Sequence, residues 1–438
     1  MNIVHITPGA GGMYCGICLR DNALVATLKK MGHQATMVPL YLPLTLDEED
    51  QSAGTPIFFS GINVYLEQKS ALFRAAPDWF HQLMAARPLL KWAGSKAANT
   101  RPESLGDLTL SMLRGEEGFQ ARELDELIAW LRTQPKPDVI CLSNALLVGM
   151  ARKLKSELGA AVVCMLQGEV DYLDALLPEY RTQCWKLLSE RAKDVELFGA
   201  ASRYFGDLMS QRLGLTPERV KVVYSGINFN GYSDSQASSP TPEPSAPVLG
   251  YFARMCPEKG LDFLVDAYIQ LRRQNQIKNL RLRIGGGCGA GDEPFVNSLR
   301  QRLSESGYLN DVEFLPNVDR AAKVRFLHSL SVFSVPVRCV EAFGLYVIEA
   351  MATGVPVVQP RTGAFPELIE ATGGGITYEG DSKTLAASLE ELLSNPERAR
   401  ALGRAGRQAA LEKFSAEAMA RATLEFYQEA VSNPAPVA

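Results

Sequence analysis

The chain has 438 residues, of which 46% are hydrophobic and 21% are charged, as in a globular protein with room for two domains. The formal net charge of −4 and an isoelectric point near 5.8 argue against a dedicated nucleic-acid-binding protein. The eight cysteines are scattered and several lie in apolar runs, which is typical of reduced cytosolic thiols. We find no secretory signal and no apolar run of membrane-spanning length, so we expect a cytoplasmic protein.

The N-terminal part, residues 1–232, alternates short apolar runs with helical patterns. This alternation predicts an α/β domain with a mostly parallel sheet and helices on both faces. The predicted strands are 3–7, 34–38, 62–66, 138–142, 161–166 and 197–201, and the predicted helices include 18–31 and 146–158.

An insert at 70–119 interrupts this pattern with apolar residues interspersed with Arg and Lys. A basic amphipathic helix at 70–97 can lie on an anionic membrane, which would place the protein at the inner membrane face. Alternatively, the apolar face packs on its own domain, which we favour. Pro77 and Pro88 interrupt any long helix there.

A segment rich in Ser and Pro at 233–247 predicts a linker, after which the alternation restarts over 248–414. The predicted strands are 248–252, 280–284, 312–315, 331–335, 355–359 and 375–378, and the predicted helices are 260–274, 294–306, 321–329, 345–352 and 384–393. The sequence therefore predicts two doubly wound, Rossmann-like domains facing a central cleft, with ligands at the carboxyl ends of the strands. The last segment, 415–438, holds a helix that is a candidate to pack back on the first domain.

Glu341 and Glu349 have seven residues between them across a predicted loop-to-helix junction. Phe343, Gly344 and Leu345 stand where the helix begins, and unpaired backbone N–H groups there suit an anion such as a diphosphate. Two carboxylates beside an anion site suit the hydroxyl groups of a ligand that also carries phosphate. A nucleotide-sugar is such a ligand, with one glutamate for the sugar and the other for the ribose. The alternative is a surface helix with two solvated glutamates.

Arg254 and Lys259 lie in the loop after a predicted strand, where two cations can clamp a diphosphate and stabilise its departure. The alternative is an exposed basic loop.

The glycine-rich run 285–291 follows the next strand, and Gly286 allows close backbone approach to a phosphate or base unless the run is only a flexible turn. It is not a Walker A loop, because Asp292 stands where Lys is required.

The glycine loop 8–12 follows the first strand but lacks the third glycine of the dinucleotide fingerprint, so we expect no nicotinamide or flavin cofactor. Gly11 and Gly12 could still let the backbone approach a donor sugar or its phosphate.

Cys15 and Cys18 are spaced like a redox or zinc pair. Because a structural zinc site takes four ligands and no second pair exists, we expect no metal.

Gln167, Glu169 and Asp171 follow a buried strand of the first domain. The two carboxylates could hold acceptor hydroxyl groups or act as a base. The alternative is that they cap the helix that follows.

Residues 250–370 carry these motifs in the order found in the retaining glycosyltransferases of family 4, which they resemble and which have the GT-B fold. The resemblance rests on Arg254 and Lys259, on the run from Glu341 to Glu349, and on the segments 354–358 and 362–367.

The resemblance implies that Arg254 and Lys259 bind the donor diphosphate, that Glu341 contacts the donor sugar and that Glu349 holds the ribose. It implies metal-independent, hexosyltransferase-like transfer to a glycan, lipid or small-molecule acceptor with retained anomeric configuration, in which the leaving phosphate helps to take the acceptor proton. The nucleoside-diphosphate-sugar is then a substrate, and no cofactor is needed.

Gln167 departs from the family pattern, in which many members have His, and Gln cannot act as a base. Ala342 and Tyr346 stand at positions where the pattern is loose. Two other functions stay open: a nucleotide-sugar epimerase of the same fold, and a non-catalytic protein that binds a nucleotide-sugar or glycan.

Overall fold

The computed structural model describes residues 1–9, 15–70, 73, 105–232 and 246–433. The chain divides into two compact units, one of Met1–Gly226 with Met419–Ala438 and one of Ile227–Ala418. Each unit holds a six-stranded parallel sheet within its described residues, which confirms the predicted α/β class. Gly11, Gly12, nearly all of 70–97 and most of the predicted linker 233–247 lie outside those residues.

The sheet of the first unit has the strand order β2-β1-β3-β4-β5-β6. Its strand β3 is apolar and buried throughout, as expected where helices cover both faces of a parallel sheet. The strands are β1 Asn2–Thr7, β2 Gln34–Pro39, β3 Val139–Leu142, β4 Ala161–Leu166, β5 Phe198–Ala200 and β6 Val220–Val222. The α-helices are Gly16–Lys30, Gly61–Lys69, Gly106–Arg114, Ala121–Arg132, Ala151–Leu158, Glu169–Asp174, Pro178–Arg191 and Arg203–Leu213.

The sheet of the second unit has the order β12-β11-β10-β7-β8-β9. β7 therefore lies between β10 and β8, and the loops that follow these three strands meet at one edge. The strands are β7 Val248–Phe252, β8 Arg281–Gly286, β9 Val312–Pro316, β10 Val332–Phe333, β11 Val357–Pro360 and β12 Gly375–Tyr378. The α-helices are Leu261–Gln274, Glu293–Glu305, Arg320–His328, Leu345–Ala352, Phe365–Thr372, Ser382–Leu393 and Pro396–Lys413.

The last helix, Ala416–Ser432, contributes to the core of the first unit from Met419 onwards. Its fully buried Tyr427 and its Phe426 lie in one apolar cluster with Ile3 of β1 and Val139 of β3. Burial of two aromatic side chains contributes about 2–3 kcal/mol each. The C-terminal helix thus packs back on the first unit, as the sequence suggested.

The sequence predicted a strand at 62–66, and this prediction is wrong. The segment is part of the helix Gly61–Lys69. The hydroxyl of Ser60 accepts a hydrogen bond from the backbone N–H of Asn63 at 3.4 Å and caps this helix. A short apolar run fits either period, and here the cap favours the helix.

The helix Pro396–Lys413 was not predicted, because its buried face consists of small residues: Ala399, Gly403, Gly406 and Ala410. A Cβ atom on Gly403 would lie 2.0 Å from the carbonyl oxygen of Gly354, so the close approach requires glycine. Such a face has no large apolar residues from which a helical period could be recognised.

Within the described residues, no helix is long and apolar enough to cross a membrane.

Candidate functional site

The loops after β7 and β10 pack directly against each other in the second unit. Gly260, which ends the first of these loops, has a φ of 70°, and a Cβ atom there would lie 1.7 Å from the carbonyl oxygen of Pro336. The backbone N–H of Arg338 also donates to the carbonyl of Glu258 at 2.8 Å. The strand order and a glycine thus bring the Lys259 loop beside the Glu341 loop.

Lys259 and Glu341 form an ion pair across these loops, with 2.7 Å between Nζ and Oε2. The hydroxyl of Tyr346 donates to the same carboxylate oxygen at 2.6 Å. Burial is the largest single influence on the pKa of Lys259 and lowers it, but the charge and hydrogen bond of Glu341 together with the nearby thiols of Cys339 and Cys256 raise the pKa above the ordinary lysine value. Lys259 is therefore a permanent cation at neutral pH.

Arg254 is anchored by Asp292, which lies at the start of the helix Glu293–Glu305. The Asp292 carboxylate accepts from Arg254 Nε at 3.2 Å and Nη2 at 3.0 Å, and also from the backbone N–H of Gly289 at 3.0 Å. The pKa of Arg254 is raised, mainly by its hydrogen bonds to Asp292. Its side chain remains 58% exposed, so the fixed guanidinium can still reach a ligand.

Gly286 has a φ of 124°, and a Cβ atom there would lie 1.9 Å from the carbonyl oxygen of Ala253. The glycine is therefore required where the loop after β8 passes the loop of Arg254. Its predicted approach to a phosphate or base stays a prediction.

The helix Leu345–Ala352 begins where the sequence placed it, directly after Gly344 with a φ of 89°. Phe343 is buried, with its ring centroid 5.6 Å from that of Phe414. The first turn of this helix lies at the same edge of the sheet as Glu341, where its N–H groups favour an anion.

Glu349, one turn into that helix, is held by two residues distant in sequence. Its Oε1 accepts from Lys323 Nζ at 2.7 Å and from the hydroxyl of Tyr232 at 2.9 Å. The side chains of Glu341 and Glu349 are only 14% and 15% exposed. Neither is a solvated residue of a surface helix.

In the first unit, Glu169 is committed to the N-terminus of its own helix. Its buried carboxylate accepts backbone N–H groups from Ala145 at 2.9 Å and from Gln167 and Gly168 at 3.0 Å. Burial raises the pKa of Glu169. The carboxylate thus binds the backbone just before its own helix, and its predicted acceptor-side role stays a prediction. Asp171 is exposed. The side-chain amide of Gln167 donates to the carbonyl of Ser143 at 2.8 Å.

A buried ionic cluster, which the sequence analysis missed, lies at the end of β1. Asp21 Oδ1 lies 2.8 Å from Arg20 Nη1 and 3.1 Å from His5 Nε2, and the hydroxyl of Thr7 donates to Oδ2 at 3.0 Å. The His5 contact is close but poorly aligned for a hydrogen bond. Burial lowers the pKa of His5, but the combined influence of Asp21 and Cys141 is greater and raises the pKa to about 10.

Cys15 and Cys18 are free thiols at the N-terminus of the helix Gly16–Lys30. The contact with Cys18 is the main cause that lowers the pKa of Cys15 to about 7. In the described part of the chain, no three His, Cys, Asp or Glu side chains converge on a point that could hold a metal ion.

Three residues that hold the predicted site were not predicted from the sequence: Tyr232, Lys323 and Tyr346. No local pattern marks them, because Tyr232 and Lys323 lie 117 and 26 residues from Glu349. Asp292 was noted only as a departure from a Walker A loop.

Comparison with known families gives a match over residues 234–409 to the model described as "Glycosyl transferases group 1". The chain is 33% identical over 176 residues to the GDP-mannose-dependent alpha-(1-6)-phosphatidylinositol monomannoside mannosyltransferase of Mycolicibacterium smegmatis, covering 38% of this chain and 44% of that protein. It is 33% identical over 241 residues to the D-inositol 3-phosphate glycosyltransferase of Kineococcus radiotolerans, covering 51% and 54%. The chain thus spans about half the length of the curated relatives it matches.

Solved structures resemble the whole chain. Sucrose-phosphate synthase from Thermosynechococcus elongatus superposes with a TM-score of 0.72 at 18% identity, covering 99% of both chains. HepE from Anabaena, in complex with UDP, superposes with a TM-score of 0.67 at 18% identity, covering 98% of this chain and all of that chain. At such identities the likeness shows a shared fold.

Proposed function

We propose that this chain, whose residues 234–409 match the glycosyl transferases group 1 model and whose fold is GT-B, is a glycosyltransferase. It transfers a sugar from a nucleoside-diphosphate-sugar to a glycan, lipid or small-molecule acceptor. The observation that carries this proposal is the Lys259–Glu341 pair, which lies where the loops after β7 and β10 meet, with Arg254 in the same loop as Lys259.

The chemistry follows from the charges at this edge. Arg254 and Lys259 bind the diphosphate and stabilise the negative charge that grows on it as the bond to the sugar breaks. Glu341 accepts hydrogen bonds from the donor sugar, and Glu349 accepts them from the ribose. Because two fixed cations face the diphosphate, we infer that no metal ion is needed for its departure.

We infer that transfer retains the anomeric configuration. The acceptor oxygen attacks the face of the sugar from which the diphosphate leaves, and the departing phosphate oxygen takes the acceptor proton. This route needs no protein base, which agrees with Gln167 and with the Glu169 carboxylate occupied by backbone N–H groups in the first unit.

The relatives support a hydroxylated acceptor and a nucleotide donor. Their names specify phosphatidylinositol monomannoside, inositol 3-phosphate and GDP-mannose, and one solved neighbour contains UDP. The relatives and neighbours named above include no epimerase, so we set that alternative aside.

Cytoplasmic location and contact of the segment 70–97 with a membrane remain proposals. Flotation of the full chain with anionic and with neutral vesicles tests the contact. Binding to anionic vesicles alone is expected if a basic amphipathic face is used, and binding to neither would contradict it.

Nucleotide binding is the direct test of the transferase proposal. We expect one of UDP, GDP, ADP and TDP to raise the melting temperature, and the matching nucleotide-sugars to be hydrolysed or transferred in the presence of EDTA. Glu341→Ala should remove turnover, whereas Glu397→Ala, at an exposed position of the same unit, should not. Stabilisation by none of the nucleotides would refute the donor site, and a need for divalent metal would refute metal independence.

A further inference from the structure

Tyr346 is the second residue of the helix Leu345–Ala352, and its side chain points back to Glu341. Its ring packs between those of Phe333 and Phe365, with centroids 6.3 Å away on each side. Burial raises the pKa of the Tyr346 hydroxyl well above its ordinary value, so the hydroxyl remains a donor throughout the physiological range.

The side-chain carboxylate of Glu341 is held through only one of its two oxygens. Oε2 accepts from Tyr346 at 2.6 Å and from Lys259 at 2.7 Å, and Lys259 Nζ also lies 5.7 Å from the centre of the Tyr346 ring. Among the described residues, Oε1 has no hydrogen-bond donor of its own. Two donors on one oxygen fix the plane of the carboxylate and leave the other oxygen for a ligand.

The backbone around Glu341 is fixed as well. The N–H of Ala364 donates to the carbonyl of Glu341 at 3.0 Å, and a Cβ atom on Gly363 would lie 2.6 Å from that carbonyl oxygen. Rotation of the side chain is therefore the main freedom left to Glu341, and the Tyr346 hydroxyl restricts it.

We propose that Tyr346 is a positioning residue, which together with Lys259 holds Oε2 of Glu341 so that Oε1 meets the hydroxyl groups of the donor sugar. The inference rests on the proposed function and deepens it, because it assigns a role to a side chain at a position where the family pattern is loose. Its action is confined to the sugar end of the donor.

The test is the variant Tyr346→Phe, which removes the hydroxyl and keeps the ring packing. We expect kcat for the donor to fall about tenfold or more, because one charge-assisted hydrogen bond is lost. The Kd of the nucleoside diphosphate alone should change by less than about twofold, because Arg254, Lys259 and Glu349 are untouched.

Tyr268→Phe is the matched control. The Tyr268 hydroxyl is buried in the same unit and donates to the carbonyl of Leu280 at 3.1 Å, directly before β8 and therefore at the end of the sheet opposite to the site. Its loss should lower the melting temperature at least as much as Tyr346→Phe does, with kcat unchanged. If Tyr346→Phe weakens nucleoside diphosphate binding as much as it lowers kcat, its role is structural and the proposal is overturned.

A double-mutant cycle with Glu341→Asp provides a second test, which does not depend on Tyr346→Phe alone. The shorter side chain withdraws the carboxylate from the hydroxyl while Tyr346 stays in place, so Glu341→Asp alone should lower kcat and preserve nucleotide binding. Tyr346→Phe should then cost less than about twofold in the Glu341→Asp background. If the fold-losses in kcat of the two single variants multiply in the double variant, Tyr346 does not act through Glu341.

The two proposals fail differently. A wild-type protein that binds no nucleoside diphosphate and turns over no nucleotide-sugar refutes the transferase itself and the positioning role with it. An active wild type whose kcat survives Tyr346→Phe refutes only the positioning role.

Discussion

Lys259 Nζ lies 2.7 Å from Glu341 Oε2, although the two residues are 82 positions apart in the chain. The pair joins the cation proposed for the leaving diphosphate to the carboxylate proposed for the donor sugar. One ionic contact thus fixes the positions of these two side chains relative to each other, and a change in either residue should affect the chemical step.

Replacing Lys259 by Gln should lower kcat by about 10²–10³, because a fixed cation is lost from the leaving group. The exposed Lys278 of the same unit provides the control, and Lys278→Gln should leave kcat unchanged. Steady-state kinetics with the nucleotide-sugar identified by thermal shift measures both. Wild-type turnover in Lys259→Gln would show that the site is assigned wrongly.

Replacing Glu349 by Gln should weaken the binding of a nucleoside diphosphate about tenfold and leave the binding of inorganic pyrophosphate unchanged. The reason is that the proposed partner of Glu349 is the ribose, which pyrophosphate lacks. Calorimetric titration with the two ligands separates the contacts. An equal loss for both ligands would place Glu349 at the phosphates instead.

Replacing Glu169 by Ala should lower the free energy of unfolding by about 2 kcal/mol or more, because buried backbone N–H groups lose their acceptor. The control is Asp171→Ala, two residues away and exposed, which should cost no more than about 0.5 kcal/mol. Urea unfolding measures the difference. A large kcat loss in Glu169→Ala without destabilisation would instead support a role for this carboxylate on the acceptor side.

The buried His5 should make folding depend on pH in the alkaline range. Its pKa is raised from 6.5 to about 10 in the folded chain, so its contribution to stability is full below pH 6.5 and is lost as the pH rises towards 10. His5→Gln should remove this part of the pH dependence in urea unfolding between pH 6 and pH 10. Parallel curves for the two proteins would contradict the charged His5–Asp21 pair.

Cys15 should be the reactive thiol of the 15/18 pair. Its pKa is lowered to about 7, and its side chain is partly exposed, whereas Cys18 is buried. Alkylation of Cys15 by iodoacetamide should therefore rise through pH 7, as followed by mass spectrometry of the peptide. Cys18→Ser should move this rise to higher pH, since the contact with Cys18 is the main cause of the lowered pKa.

Much of the fold follows from local patterns, which the sequence displays directly. The alternation of apolar strands and amphipathic helices determined two α/β units, and the predicted loop-to-helix junction at Gly344 located the helix that carries Glu349. At 62–66 the apolar period was ambiguous, and a strand was wrongly predicted. At 396–413 the buried face consists of glycine and alanine, and no helix was predicted.

By itself, then, the sequence determined the class of fold, the order of the motifs and the residue types that suit a nucleotide-sugar. Only the tertiary structure decided which of those residues touch: Lys259 with Glu341, Arg254 with Asp292, and Glu349 with Lys323 and Tyr232. The physical reason is that these contacts join residues 26 to 117 positions apart. For the first two contacts, the order of β10, β7 and β8 in the sheet brings the loops to one edge. Sequence periodicity reports which face of a strand or helix is buried, whereas the partner across a loop depends on strand order.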